Sequence, residues 1–399
     1  MTSAADFQTE LSRANGPAGH SVTKGSLLLR FIRASQPVTR TEIAERLHID
    51  KSTVTENVKP LITKGILVEE TDDGKDAGRR RRVLSFAADH RYFIGVNLGV
   101  RRSQVGLVGL RGEITDETDF ETPSKPEVAL KMALHRIEDI IMQRGGRVPA
   151  VIGVSVPGMV DANRQKLLFA PHLNWRNVDL ASALQAKPEI RVVVENDSTA
   201  AAMYEARVKI RDSEDRMMSN FILVRSGTGI GVGLVIGNEV FRGSGIAGEF
   251  GHMTIVAGGK QCVCGNRGCW EKYASAASAA SLYLGDRPPA RGESVPRFVE
   301  IVSKAEVGDI RSRRTLEKIG DFLGIGIANV IMGIGIPHVV ISGRLVYGWS
   351  FIEGPMKEAI RRSIIGKIDG GSVEAGEPAG AAIGGALEVA VEEYLSTII

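Results

Sequence analysis

The chain has 399 residues, 43% of them hydrophobic and 24% charged, with 50 Lys and Arg against 47 Asp and Glu. That is the balance of an ordinary soluble globular protein, and the length asks for two or three domains. A formal net charge of +3 excludes arguing for a nucleic-acid partner from total charge; such an argument must rest on local clusters of Lys and Arg.

All three cysteines stand between Cys262 and Cys269, which is not a disulfide framework and points to a reducing, cytoplasmic setting. The opening residues, "MTSAADFQTELSRANGPAGHS", contain no apolar run suited to a signal peptide. Phe322 to Gly343 carries no Lys, Arg, Asp or Glu, yet its five glycines, Asn329, Pro337 and His338 describe a buried helix and a buried strand, not a membrane span.

In chain order, residues 1–20 are polar and are expected to form a mobile arm. Residues 21–88 follow another pattern. "KGSLLLRFIRAS" reads as an amphipathic helix, and "TRTEIAERLHI" as a second helix capped by Thr39 or Thr41. "DKSTVTENVKPLITKG" begins with Asp50 as a cap and carries apolar Val54, Val58, Leu61 and Ile62. Pro60 removes one intrahelical hydrogen bond and is expected to bend that third helix. "ILVEETDDGKDAGRRRRVLSF" then gives two short strands around a charged turn.

Three helices and a hairpin make a winged helix-turn-helix. The recognition helix would present Lys51, Ser52, Thr53, Thr55 and Glu56 to a major groove, and the wing would offer Arg79, Arg80, Arg81 and Arg82 to phosphates or a narrow minor groove. A three-helix protein-interaction module with a solvated arginine turn is the alternative.

From residue 89 the texture is mixed α/β with many glycines. "YFIGVNLG" and "QVGLVGL" form a hairpin, "PEVALKMALHRIEDIIMQRG" a helix, "VIGVSVPGMV" a strand, and "RVVVEND" a strand running into a helix. "FILVRSGTGIGVGLVIGNEVF" reads as strand, glycine-rich turn and strand. Repeated hairpins among helices suggest two lobes facing one cleft. The first is expected at about 89–200 plus a C-terminal helix at about 380–399, and the second at about 201–379.

The winged helix joined to "GVSVPGMVD", "APHLNWRNVDL", "ENDSTAAA", "SGTGIGVG", "GIAGEFGH" and "CVCGNRGCWE" resembles the ROK family of bacterial repressors, open reading frames and sugar kinases. The resemblance runs from about Lys24 to the C-terminus. It implies an α/β fold, a two-lobed actin-like ATPase (ribonuclease H-like) domain behind a small winged helix-turn-helix domain.

His252, Cys262, Cys264 and Cys269 match the family's metal motif and supply one imidazole and three thiolates, a closed tetrahedral set suited to structural Zn2+. Gly265 and Gly268 would allow the tight path returning Cys269 to the metal. Buried free thiols, or a redox pair at Cys262 and Cys264, are the alternatives.

Asp197 matches the general base of the family's kinases, at the carboxyl end of a strand where ligands gather. Its plainer role is a helix cap, which Asn196, Asp197 or Ser198 could equally supply. Glu249, His252 and Glu271 match the positions that hold sugar hydroxyls, with Asn196, Asn174 and Gly158 as further sugar-binding candidates. The imidazole of His252 could serve metal and sugar through its two nitrogens.

The nucleotide site departs from the family. "DxGGTK" is replaced by "NLGVRR", with Asn97 for the Asp, Val100 for the second Gly and Arg101 for the Thr. Asn lacks the charge that draws a hard divalent cation. Ser226, Gly227, Thr228 and Gly229 keep the second glycine loop, which could also be a plain hairpin turn.

Structural Zn2+ is therefore expected as cofactor, whereas ATP and Mg2+ are not. The expected partners are operator DNA and a small sugar or sugar derivative, with no membrane. The resemblance suggests a homodimer or homotetramer. The function implied is a sugar-responsive regulator, a repressor, of carbohydrate metabolism genes. An ATP-dependent hexose or N-acetylhexosamine kinase that also binds DNA is the alternative, and a zinc-sensing regulator a third.

Overall fold

The structure, a computed structural model, describes residues 24–72, 81–88, 90–212, 220–243, 245, 247–291, 293–367, 371–378 and 381–398. The expected arm at 1–20 and wing residues Arg79 and Arg80 lie outside the described residues.

The head is built from α1 (Lys24–Ser35), α2 (Arg40–Leu47), α3 (Lys51–Thr63) and the antiparallel pair β1 (Leu67–Asp72) and β2 (Arg81–Phe86). Thr39 caps α2: its hydroxyl accepts from the Glu42 N–H at 3.2 Å, and the Glu42 carboxylate accepts from the Thr39 N–H at 2.7 Å. Asp50 occupies the cap position of α3 without a side-chain hydrogen bond. Pro60 lies inside α3, which continues to Thr63. Leu28, Leu29, Ile32, Ile43, Val54, Val58 and Leu84 are fully buried between these elements.

Behind the head, β3 (Tyr92–Leu98), β4 (Arg102–Gly109), β5 (Ile114–Glu121), β6 (Val151–Val156) and β10 (Arg191–Asn196) form one sheet in the order β10-β6-β3-β4-β5. β7 (Met159–Val160), β8 (Lys166–Ala170) and β9 (Trp175–Asp179) form a small sheet beside it. Both faces of the large sheet are covered, so β3 is buried along its whole length. Tyr92, Ile94 and Val96 share an apolar cluster with α4 (Pro126–Gln143), and the opposite face receives α12 (Ala381–Ile398). A Cβ on Gly153 would stand 2.2 Å from the Ala386 carbonyl oxygen. Glycine there lets α12 lie directly on the sheet backbone.

The second large sheet contains β11 (Phe221–Ser226), β12 (Ile230–Ile236), β13 (Glu239–Val240), β14 (His338–Gly343) and β15 (Ser372–Ala375), ordered β13-β12-β11-β14-β15. Its connectivity repeats the first: an antiparallel three-strand meander whose first strand pairs in parallel with one later strand, which in turn pairs in parallel with the next. The uncharged stretch Phe322 to Gly343 is the end of the helix Ile310–Ile334 followed by β14. No helix among the described residues is long and apolar enough to cross a membrane.

The helix Asp197–Asp212 lies between the sheets. Gly231 and Gly233 of β12 make room for Ser198 and Ala202 on one side, and Gly385 of α12 meets Ala200 on the other. The head's apolar core is continuous with this layer: Leu28 and Phe86 belong to one cluster with Phe93, Ile383, Leu387 and Val391.

Candidate functional site

Strand β10 delivers Asn196 and Asp197 to the start of the interlobe helix. Asn196 is the cap: its Oδ1 accepts from the N–H groups of Ser198 at 2.9 Å and Thr199 at 3.1 Å. Its amide nitrogen donates to the Gly158 carbonyl at 2.9 Å. The Asn196 side chain is thus spent on backbone, and the Asp197 carboxylate is left for other work. It takes an ion pair from Arg225 at 2.6 Å.

Asp197, Glu249 and Glu271 converge. Burial and the charges of Asp197 and Glu271 push the Glu249 carboxyl up to about 7, against the pull of His172. Burial also acts upward on Glu271, but the hydrogen bond and charge of His172 hold its carboxyl below the usual range. His172 Nε2 lies 3.1 Å from Glu271 Oε2. Three acids and two imidazoles facing one space suit a polyhydroxyl ligand, which needs donors and acceptors at several positions.

Asn174 is exposed, in a left-handed turn two residues after His172. Gly158 has φ 112°, and a Cβ there would meet the Phe169 carbonyl oxygen at 2.3 Å.

Glu249 and His252 share one 3-10 turn, Glu249–His252. The ligand atoms of His252, Cys262, Cys264 and Cys269 lie within 4.8 Å of one another. Cys264 Sγ and Cys269 Sγ are 3.7 Å apart, and His252 Nδ1 is 3.6 Å from Cys262 Sγ. A tetrahedral centre with ~2.3 Å Zn–S bonds has S–S edges of about 3.8 Å, so this group could hold such an ion.

Burial pushes the Cys262 and Cys269 thiols up, so their deprotonation calls for a cation among them. Burial keeps His252 below the ordinary histidine range, which favours the neutral ring a metal requires. Gly268 has φ 81° and passes so near the Val256 carbonyl that a Cβ would overlap it at 1.8 Å. Next to Cys269, Trp270 is fully buried, donates from Nε1 to the Phe322 carbonyl at 2.9 Å, and packs on Gly326. One short run therefore carries a thiol, an anchor and the carboxylate of Glu271.

The glycine loop meets the same acids. A Cβ on Gly229 would stand 2.3 Å from Glu271 Oε2 and 2.9 Å from His172 Nε2. Ser226 is buried and its hydroxyl accepts from the Ala276 N–H at 3.0 Å. Gly227 and Thr228 complete the turn, half-buried. On the opposite hairpin Asn97 is buried; its amide donates to Gln104 Oε1 at 3.0 Å and accepts from the Ser155 hydroxyl at 3.1 Å. Both ends of its amide are thus bonded within the protein.

On the head, Lys51, Ser52 and Glu56 are exposed and Thr53 and Thr55 half-buried, with the Thr55 hydroxyl donating to the Lys51 carbonyl at 2.9 Å. Arg81 and Arg82 are exposed at the base of the wing, and Arg82 shares Glu69 with Arg40. Sequence reasoning did not single out His172, Arg225 or Arg344. His172 stands inside the "APHLNW" motif and Arg225 directly before the glycine loop, but a single sequence gives no hint that either faces the acids.

A winged helix fused to a duplicated two-lobed α/β domain, with a cleft and a Cys3His group, defines a regulator-type member of the actin-like sugar kinase architecture. The ROK family model matches residues 93–391 and a MarR family model matches residues 26–77. The chain belongs to the ROK family. It is 31% identical over 347 residues to the xylose repressor of Bacillus subtilis, covering 86% of this chain and 87% of that protein. A ROK family transcriptional regulator homologous to the Escherichia coli MLC protein superposes with TM-score 0.72 at 23% identity, over 93% of this chain and 95% of that one. A ROK glucokinase from Streptomyces griseus, solved with glucose and AMPPNP, gives TM-score 0.63 at 28% identity, over 75% of this chain and 99% of the kinase.

Proposed function

We propose that this chain is a sugar-responsive, DNA-binding transcriptional repressor of carbohydrate metabolism genes, with a structural zinc beside its sugar cleft. The observation that carries it is the junction between head and body. Arg33 of α1 and Arg207 of the interlobe helix meet on the buried carboxylate of Glu388 in α12. The interlobe helix begins at Asp197 in the cleft, so one rigid element runs from the acids to the recognition head. Sugar on Asp197, Glu249 and Glu271 would bias the lobes toward one closure, and the head's placement would follow by the ligand's differential affinity for the two states. The naming of a similar chain as a xylose repressor supports this assignment.

Zn2+ held by His252 through Nδ1 and by the three thiolates would fix the loop, leaving Nε2 on the side of Glu249, 3.9 Å away. Lys51, Ser52, Thr53 and Thr55 would read bases, and Arg79, Arg80 and Arg81 would contact phosphates. The internally bonded Asn97 and the pairing of Asp197 with Arg225 favour a sensor over a kinase.

The test is selection of duplexes from a random pool, followed by anisotropy titration of selected and random DNA with and without xylose, glucose or N-acetylglucosamine. Selected DNA should bind at least tenfold tighter, with affinity falling steeply with salt, and one sugar should change it. Equal affinity for both duplexes at every salt concentration sinks the proposal.

A further inference from the structure

We propose that the hairpin turn of the second large sheet, residues 237–239, is a releasable strap on the DNA-binding head, fastened by Arg30 at its tip and by Arg242 at its exit; this rests on the sugar-cleft assignment above. β12 and β13 are joined by two residues, Gly237 and Asn238, with φ 59° and 64°. Those positive angles belong to a tight, twisted hairpin. The Gly237 N–H donates to Asn220 Oδ1 at 2.7 Å, which ties the turn to the start of β11.

Arg30 of α1 meets that tip. Its Nη1 donates to the Asn238 carbonyl at 3.0 Å, its Nη2 lies 3.9 Å from Glu239 Oε1, and its Nε donates to Glu392 of α12 at 2.6 Å. One guanidinium of the head therefore spans the second large sheet and the helix that covers the first. At the other fastening, Arg242 Nε donates to Glu195 Oε2 of β10 at 2.6 Å, and Arg164 Nε approaches the same oxygen at 3.4 Å. Arg164 also donates to Glu393 of α12 at 2.8 Å.

Both fastenings are shared in the same way. If the hairpin withdraws, Arg30 keeps Glu392 and the buried Glu195 keeps Arg164, so no buried charge is left bare. That removes the penalty that resists breaking a buried ion pair, and gives the strap two accessible arrangements. Arg33 and Glu388 join α1 to α12 without the second large sheet, so the head stays with α12 when the strap opens.

The strap's exit lies among the residues of the sugar cleft. Glu195 directly precedes Asn196 and Asp197. The chain leaving Arg242 turns at Gly245, whose N–H donates to the Arg242 carbonyl at 2.9 Å, and runs on to Glu249. A ligand that draws Asp197 and Glu249 together shifts Arg242 against Glu195 and the hairpin tip against Arg30. Its differential affinity for the fastened and released states sets which one is populated.

The test is anisotropy titration of the full-length protein on its selected duplex, without sugar and with saturating xylose, glucose or N-acetylglucosamine. Arg30→Lys keeps a charge for Glu392 but loses the fork that spans both partners; Arg242→Gln leaves Arg164 on Glu195. Each variant should cut the ratio of duplex affinity without and with sugar at least about threefold, with thermal unfolding close to wild type. The double variant should cut it no further than the stronger single one, because both fasten one hairpin. A double loss equal to the product of the singles shows two independent contacts and overturns the strap. An equal fall in affinity with and without sugar, or an unchanged ratio in both variants, also overturns it while sparing the sugar response. A wild type indifferent to all three sugars removes the sugar reading, and the strap with it.

Discussion

Arg33, in the first helix of the DNA-binding head, holds both carboxylate oxygens of Glu388 in the C-terminal helix, with Nη2 2.9 Å from Oε1. Arg207 shares the carboxylate at 2.6 Å, and both Arg33 and Glu388 are buried. The head is thus fastened to the body by a charge that cannot be left unpaired.

Removing that charge has a large expected effect. Glu388→Ala leaves two guanidiniums without their counter-ion, which costs about 3–5 kcal/mol for a buried pair broken on one side. Urea denaturation should show the loss, and operator affinity should fall with it. Arg33→Met combined with Glu388→Leu should recover part of the stability, since it removes charge from both sides. Recovery of stability without recovery of sugar-controlled DNA binding would show that the pair transmits as well as fastens.

The same carboxylate sets a pH dependence. Burial acts to raise the Glu388 pKa, but Arg33 and Arg207 outweigh it and hold it below the ordinary 4.5. A depressed carboxyl stabilises the fold fully above its unfolded value and loses that contribution as pH falls through its folded value. The stability difference between wild type and Glu388→Gln should stay constant from pH 7 to about 5 and shrink below about 4.5. A difference that grows on acidification contradicts the assignment.

Cys264→Ser should lose both zinc and the sugar response, because the loop that bears Cys269 also positions Glu271 two residues on. Metal analysis should give one zinc per wild-type chain and almost none in the variant, with sugar affinity down at least tenfold. A variant with full sugar affinity and no metal would separate the two.

Kinase activity should be undetectable in a coupled assay for ADP release with xylose, glucose or N-acetylglucosamine. Arg225 occupies Asp197, and Asn97 is bonded to Gln104 and Ser155. Turnover that Asp197→Asn abolishes would restore the enzyme assignment.

Gly153→Ala should destabilise the protein by about 1–3 kcal/mol, the usual range for overpacking, because its Cβ would strike the Ala386 carbonyl and the Ala390 N–H region at 2.2 and 2.6 Å. Displacing the C-terminal helix should also weaken DNA binding, since that helix carries Glu388. Thermal unfolding and anisotropy on one preparation check both.

The sequence by itself determined the elements and the motif residues. Period-two and helical patterns placed the winged helix, the hairpins and the uncharged helix–strand pair, because local burial follows local periodicity. The cysteine spacing and His252 were likewise visible, since three of those four ligands lie in one loop. The choice of Asn196 over Asp197 as cap was not legible, because adjacent polar residues look alike until their hydrogen bonds are formed. Only the tertiary structure decided that the two sheets repeat one topology, that His172 and Arg225 face the acids, and that the head shares its core with the C-terminal helix. These relations join residues far apart in sequence: Arg33 and Glu388 are separated by 355 positions. Charge and hydropathy patterns record which surface of an element is buried, and not which distant element buries it; that partner is fixed only when the chain closes.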